Sequence, residues 1–85
     1  FPNPFNPTTV VKYSLPELSK VRVEVFNMIG QSEGLLVNSE KSAGAYQHNC
    51  NAVNLPSGVY LINISATSAE SNKQFREIKK AVLLK

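Results

Sequence analysis

Val21, Val23 and Val25 alternate with Lys20, Arg22 and Glu24, so the stretch 20–27 carries one apolar and one charged face. A period of two is the signature of a half-buried β-strand. The same pattern predicts strands near 9–15, 31–37, 45–52, 58–67 and 74–84. Val59-Tyr60-Leu61-Ile62-Asn63-Ile64 is the strongest of these, with Tyr60, Ile62 and Ile64 expected to face inward. In 45–52, Tyr46, His48 and Cys50 share one face and Gln47, Asn49 and Asn51 the other, which makes it the least apolar strand. Helical spacing is absent apart from an ambiguous 75–85, whose β-branched and apolar end assigns it to strand.

The breaks between these stretches carry turn chemistry. Leu15-Pro16-Glu17-Leu18-Ser19 separates the first two strands, and Asn27-Met28-Ile29-Gly30 predicts a tight hairpin with Gly30 in the positive-φ position of a turn-plus-bulge connection. Ser42-Ala43-Gly44 introduces the fourth strand. Leu55-Pro56-Ser57-Gly58 places proline and glycine as a type I turn wants them, with Tyr60 starting the core strand that follows. The small, polar stretch 66–73 reads as a loop. Turns about every dozen residues are the spacing of an all-β antiparallel sandwich rather than of alternating strands and helices. Ahead of it, Phe1-Pro2-Asn3-Pro4-Phe5-Asn6-Pro7-Thr8 holds three prolines in seven residues, which forbids a helix and removes donors a sheet interior needs. The expected organisation is therefore one domain over 1–85, a proline-rich lead-in at 1–8 and a β-sandwich at 9–85, with Phe1 and Phe5 as apolar anchors.

At 85 residues, such a domain buries roughly 60% of its unfolded surface and leaves little room for a deep catalytic cleft. The net charge of +3 is uneven: residues 73–85 hold five cations against Glu77 alone, while residues 1–72 are close to neutral. Basicity confined to a tail with one aromatic, Phe75, is unlike a nucleic-acid surface, which wants a broad basic face with interleaved aromatics. Aspartate is absent, which removes an Asp-rich calcium loop. One cysteine and one histidine form no internal disulfide and no structural zinc site of their own. No apolar run is long enough for a spanning helix, and no charged leader precedes an apolar segment. No cofactor and no metal are expected.

Candidate chemistry is sparse. Cys50 and His48, two apart on one strand, stand about 6 to 7 Å apart, too far for a nucleophile and its base. Asn63-Ile64-Ser65 matches a glycosylation acceptor by chance within the strongest strand. Glu17, Glu24, Glu33 and Glu40 fall on different strands and turns and read as solvated charges. The tail differs in kind. Lys79 and Lys80 beside Ala81-Val82-Leu83-Leu84 guard an exposed strand edge against unwanted pairing, and the same edge suits strand addition by a receptor. Lys79, Lys80, Val82, Leu83, Leu84 and Lys85 are the candidate recognition residues, with the cations selecting an acidic partner.

In order along the chain, Pro2-Asn3-Pro4-Phe5-Asn6-Pro7-Thr8-Thr9, Val23-Glu24-Val25-Phe26-Asn27-Met28-Ile29-Gly30-Gln31, Leu55-Pro56-Ser57-Gly58-Val59-Tyr60 and Lys79-Lys80-Ala81-Val82-Leu83-Leu84-Lys85 resemble the C-terminal sorting domain of the type IX (Por) secretion system. The resemblance implies an immunoglobulin-like, fibronectin III-like sandwich of about seven strands, with Pro4, Asn6, Pro7, Gly30, Pro56, Gly58 and Tyr60 as structural motif positions. It implies a non-catalytic signal domain that directs a cargo attached upstream of Phe1 through the periplasm and outer membrane of a Bacteroidetes-type, Gram-negative bacterium to the surface or medium. The implied partners are the outer-membrane translocon and a surface sortase-like protease, with no nucleic acid and no membrane span. The chain departs from the family pattern at His48 and Cys50. The alternatives are an immunoglobulin-like spacer or carbohydrate-binding module of an extracellular enzyme, for which exposed aromatics are few, and a flagellar hook-capping-like module that shares the Pro-Asn-Pro-Phe opening.

Overall fold

A computed structural model describes residues 8–51 and 55–83, and the side chains of 10–50 and 55–83. Six strands lie within them: β1 (Thr8–Leu15), β2 (Ser19–Asn27), β3 (Ser32–Lys41), β4 (Gly44–Asn51), β5 (Gly58–Ser68) and β6 (Gln74–Leu83). Every pairing is antiparallel. β1 pairs with β4 in a two-stranded sheet, and β3-β2-β5-β6 form a four-stranded one. The all-β sandwich expected from the pattern is the fold, with one strand for each predicted stretch.

The chain crosses between sheets at β1–β2, β3–β4 and β4–β5, so the two inner faces come from strands distant in sequence. Val11, Tyr13 and Leu15 of β1 meet Val21, Val23 and Val25 of β2 and Tyr60, Ile62, Ile64 and Ala66 of β5 in one buried cluster, completed by Val37, Cys50 and Leu83. The β2 valines and the β5 residues Tyr60, Ile62 and Ile64 face inward as the alternation predicts.

Two elements run longer than their side-chain pattern. β3 continues past Val37 to Lys41 through exposed or half-buried residues, since its backbone pairs with β2 out to Ser19↔Lys41 and an edge strand needs no apolar outer face. β5 ends at Ser68, one residue past the predicted 58–67, and its buried Ala66 and Ser68 fall where the predicted loop 66–73 overlaps or adjoins the strand. Two register shifts interrupt β2–β3, between Val23 and Glu24 and between Val25 and Phe26. β5 and β6 pair from Gly58↔Leu83 to Thr67↔Gln74 without a shift. The predicted lead-in, with Phe1, Pro4, Phe5, Asn6 and Pro7, lies outside the described residues.

Candidate functional site

β6 is an edge strand: it pairs with β5 and with no second strand among the described residues. Its alternation divides the predicted recognition residues between two faces. Lys80 and Val82 point outward and are exposed, whereas Leu83 is buried in the core at 8% exposure. Lys79 is half-buried on the inner face, where its Nζ donates to the Lys12 carbonyl of β1 at 2.8 Å and lies 3.9 Å from Glu77 Oε2. It bridges the two sheets. Leu84 and Lys85 lie outside the described residues. The outward row also contains Arg76 and Ile78, which sequence reasoning missed. Period-two counting from Val82 backwards was the signal that would have found them.

Beside this row the outer surface of the four-stranded sheet is mixed, with an apolar patch at Phe26 and Leu61. Ile78 and Val82 are 58% and 57% exposed. Register places Ile78 opposite Asn63 and Lys80 opposite Leu61, and Leu61 opposite Phe26. A shallow depression of about 280 Å³ is lined by Phe26, Met28, Leu61, Asn63, Arg76 and Ile78 among others. On the other side of β6, between it and β1, the sandwich is open. A cleft of about 540 Å³ there is lined by residues of β1 and β4 together with Glu77, including Lys12, Tyr13 and Tyr46.

The motif positions hold the scaffold. Gly30 has φ +88°, a conformation open to glycine at little steric cost. Asn27 organises the same hairpin: its Oδ1 accepts from the backbone N–H of Ile29 (3.1 Å) and Gln31 (2.9 Å), and its Nδ2 donates to Gln31 Oε1 and Glu33 Oε2, both at 3.0 Å. At the corner leading into β5, Tyr60 Oη donates to the Pro56 carbonyl at 2.6 Å. Its ring passes 3.8 Å from the position a Cβ on Gly58 would take. This is the tyrosine corner of immunoglobulin-like sandwiches. A second tyrosine does the same into β4, with Tyr46 Oη donating to Ser42 O at 2.7 Å. Tyr46 also stacks on Tyr13, ring centroids 5.6 Å apart, and lies under Lys41 Nζ at 5.0 Å.

Three glutamates read as solvated charges turn out to be bonded: Glu33 to the Asn27 amide, and Glu17 and Glu24 to hydroxyls. Glu17 accepts from Ser68 Oγ and, at 2.7 Å, from Ser71 Oγ, joining the β1–β2 turn to the β5–β6 turn. Those hydroxyls, Ser68 first, with help from Lys73, hold its carboxyl below the ordinary value. Glu24 accepts from Ser32 Oγ at 2.7 Å and pairs with Arg22 at 3.2 Å, which lowers it likewise. Cys50 is buried at 6% exposure, and burial pushes its thiol up, away from the reactive thiolate. Of the described aromatics, Tyr13 and Tyr60 are in the core, and Phe26, Tyr46 and Phe75 are half-buried. No group of acidic, histidine and cysteine side chains among the described residues is placed to hold a metal ion, and no helix among them is long and apolar enough to cross a membrane.

Among the described residues, then, the larger sheet ends on β6, whose outer edge pairs with no further strand. No curated protein and no solved structure matches it. A family model described as the secretion system C-terminal sorting domain matches residues 1–79, carrying the Pro-Asn-Pro-Phe opening, the Asn27–Gly30 hairpin, the Tyr60 corner and most of β6. The chain belongs to the family of secretion-system C-terminal sorting domains.

Proposed function

We propose that this domain works as a folded ligand: it performs no reaction, and the secretion machinery grasps it by the exposed edge of β6 and the residues that follow it in sequence. Domains of this family are C-terminal sorting signals for type IX secretion, and this one sorts a cargo to the cell surface or medium. The open edge of β6 carries the finer reading. An edge strand offers unpaired N–H and C=O groups along its length, so any binder that supplies a strand gains main-chain hydrogen bonds. Lys80 and Val82 stand on that edge, Lys79 and Leu83 anchor it from the inside, and Leu84 and Lys85 follow in sequence.

The binder in this reading is a component of the outer-membrane translocon, met after the cargo has entered the periplasm, and a surface sortase-like protease acts on the domain afterwards. The cargo stands upstream of Phe1. A non-catalytic role is supported by the raised Cys50 thiol and by carboxylates that are engaged in turns and a strand rather than convergent. The test is a fusion of the 85 residues to a neutral reporter in a host with a working type IX system. The reporter is expected at the surface or in the medium, and a matched fusion lacking Lys79–Lys85 is expected to stay inside. Undiminished export of the truncated fusion would overturn the role of the β6 edge.

A further inference from the structure

We infer that the edge of β6 accepts a strand in which acidic and apolar residues alternate, contributed by a different protein and not by a second copy of this chain. This rests on the reading of β6 as the grasped element and names the chemistry of what grasps it. Four observations carry it.

The first is regularity. Of the outer strands, β3 is interrupted by two register shifts against β2, and bulges twist an edge out of template geometry. The β1 edge is bridged by Lys79, whose ammonium occupies the Lys12 carbonyl. β4 presents exposed Ala45, Gln47 and Asn49, neither charged nor strongly apolar. β6 runs unshifted against β5 for its whole length.

The second is the side-chain row along that edge. Arg76, Ile78, Lys80 and Val82 all face outward and all are exposed, so cationic and apolar positions alternate at every second residue. Directly opposed residues of an antiparallel pair interact in pairs. The complementary strand therefore reads apolar, acidic, apolar, acidic at alternate positions.

The third is the charge left over. Glu24 and Glu40 stand on that face: Glu24 is already held by Arg22 and Ser32, Glu40 lies opposite Lys20 at the far end of β2–β3, and Arg76 donates to Asn63 Oδ1 at 3.4 Å, with no ion pair to Arg76 or Lys80 among the described residues.

The fourth disfavours self-pairing. An antiparallel β6–β6 pair about a two-fold axis puts like charges directly opposite whenever it is centred from residue 76 to residue 80. Centre 76 opposes two Arg76, centre 77 two Glu77, centre 78 Arg76 and Lys80 (offset in part by Glu77 opposite Lys79), centre 79 two Lys79, and centre 80 two Lys80. Like charges so placed destabilise a pair. The row thus repels its own copy while attracting the complementary strand.

The experiment uses the purified 85-residue chain and two probe peptides of about eight residues. One repeats Val-Thr-Glu-Thr and the other Val-Thr-Lys-Thr, both blocked at their ends. Amide proton–nitrogen spectra are recorded on titration. The glutamate peptide is expected to shift resonances concentrated in residues 74–83 and to bind roughly tenfold more tightly than the lysine peptide at low salt. The double variant Arg76→Glu, Lys80→Glu, whose changes are on exposed side chains, is expected to reverse that preference. Equal binding of both peptides, binding to neither, shifts centred on β3 or the Met28–Ile29 tip, or concentration-dependent dimerisation through β6 would each overturn the inference. The measurement is independent of secretion. Failure of the reporter to be exported bears on the sorting role, whereas loss of peptide discrimination bears on this pairing.

Discussion

Tyr60 has two duties that a strand residue rarely combines: its ring fills the core at 6% exposure while its hydroxyl closes the corner onto Pro56. Removing the hydroxyl leaves a part-buried carbonyl without that donor. Tyr60→Phe is therefore expected to lower stability by about 1 to 2 kcal/mol in urea unfolding, with the fold retained. Gly58 and Tyr60 were legible as a turn and an inward strand position from Pro56 and the alternation. The acceptor for the hydroxyl was not, because it depends on how the corner folds back. Asn27 is a similar case. Its place in a hairpin was readable from Gly30, but its four bonds follow from the hairpin's three-dimensional course.

At the scale of elements, two turns that are far apart in sequence are locked by one carboxylate. Glu17 accepts from Ser68 and Ser71, and the Ala69 N–H donates to the Leu18 carbonyl at 2.9 Å, so β1–β2 and β5–β6 move as a unit. A carboxyl whose folded value lies below its ordinary 4.5 contributes stability that is fully present above that value and is lost as pH falls through the folded one. The unfolding midpoint in urea is thus expected to fall on acidification from pH 5 to the lower end of the carboxylate range. Glu17→Gln should flatten that dependence, and Glu24 accounts for part of what remains. Reading Glu17 as a solvated charge was the natural result of its polar turn; nothing local pointed to serines more than fifty positions away. The length of β3 was underestimated for a related reason, and the overlap of the predicted loop with the end of β5 has the same source. Where a strand is held by its neighbour's backbone, or under a turn, its own side chains need not be large or apolar.

The molecule as a whole places its one thiol where it cannot act. Cys50 ends the inward row of β4 against the core, and burial raises its pKa. Modification by a thiol reagent at neutral pH is accordingly expected to follow global unfolding, speeding with denaturant in step with loss of structure. Fast labelling of the native domain would place Cys50 outside the core. A free cysteine at this position packs as a small apolar side chain.

The chain's alternation, turn residues and uneven charge were enough to determine an all-strand domain, the inward positions of β2 and β5, the Gly30 hairpin and a basic last strand, because these depend on neighbours one to four residues away. Tertiary structure alone decided that β1 pairs with β4, that β6 ends the larger sheet unshifted, and that Lys79 turns inward while Arg76, Ile78, Lys80 and Val82 line the open edge. Strand order and edge position arise from pairing between distant segments and from burial of a shared core, and a period of two is the same on a central strand as on an edge.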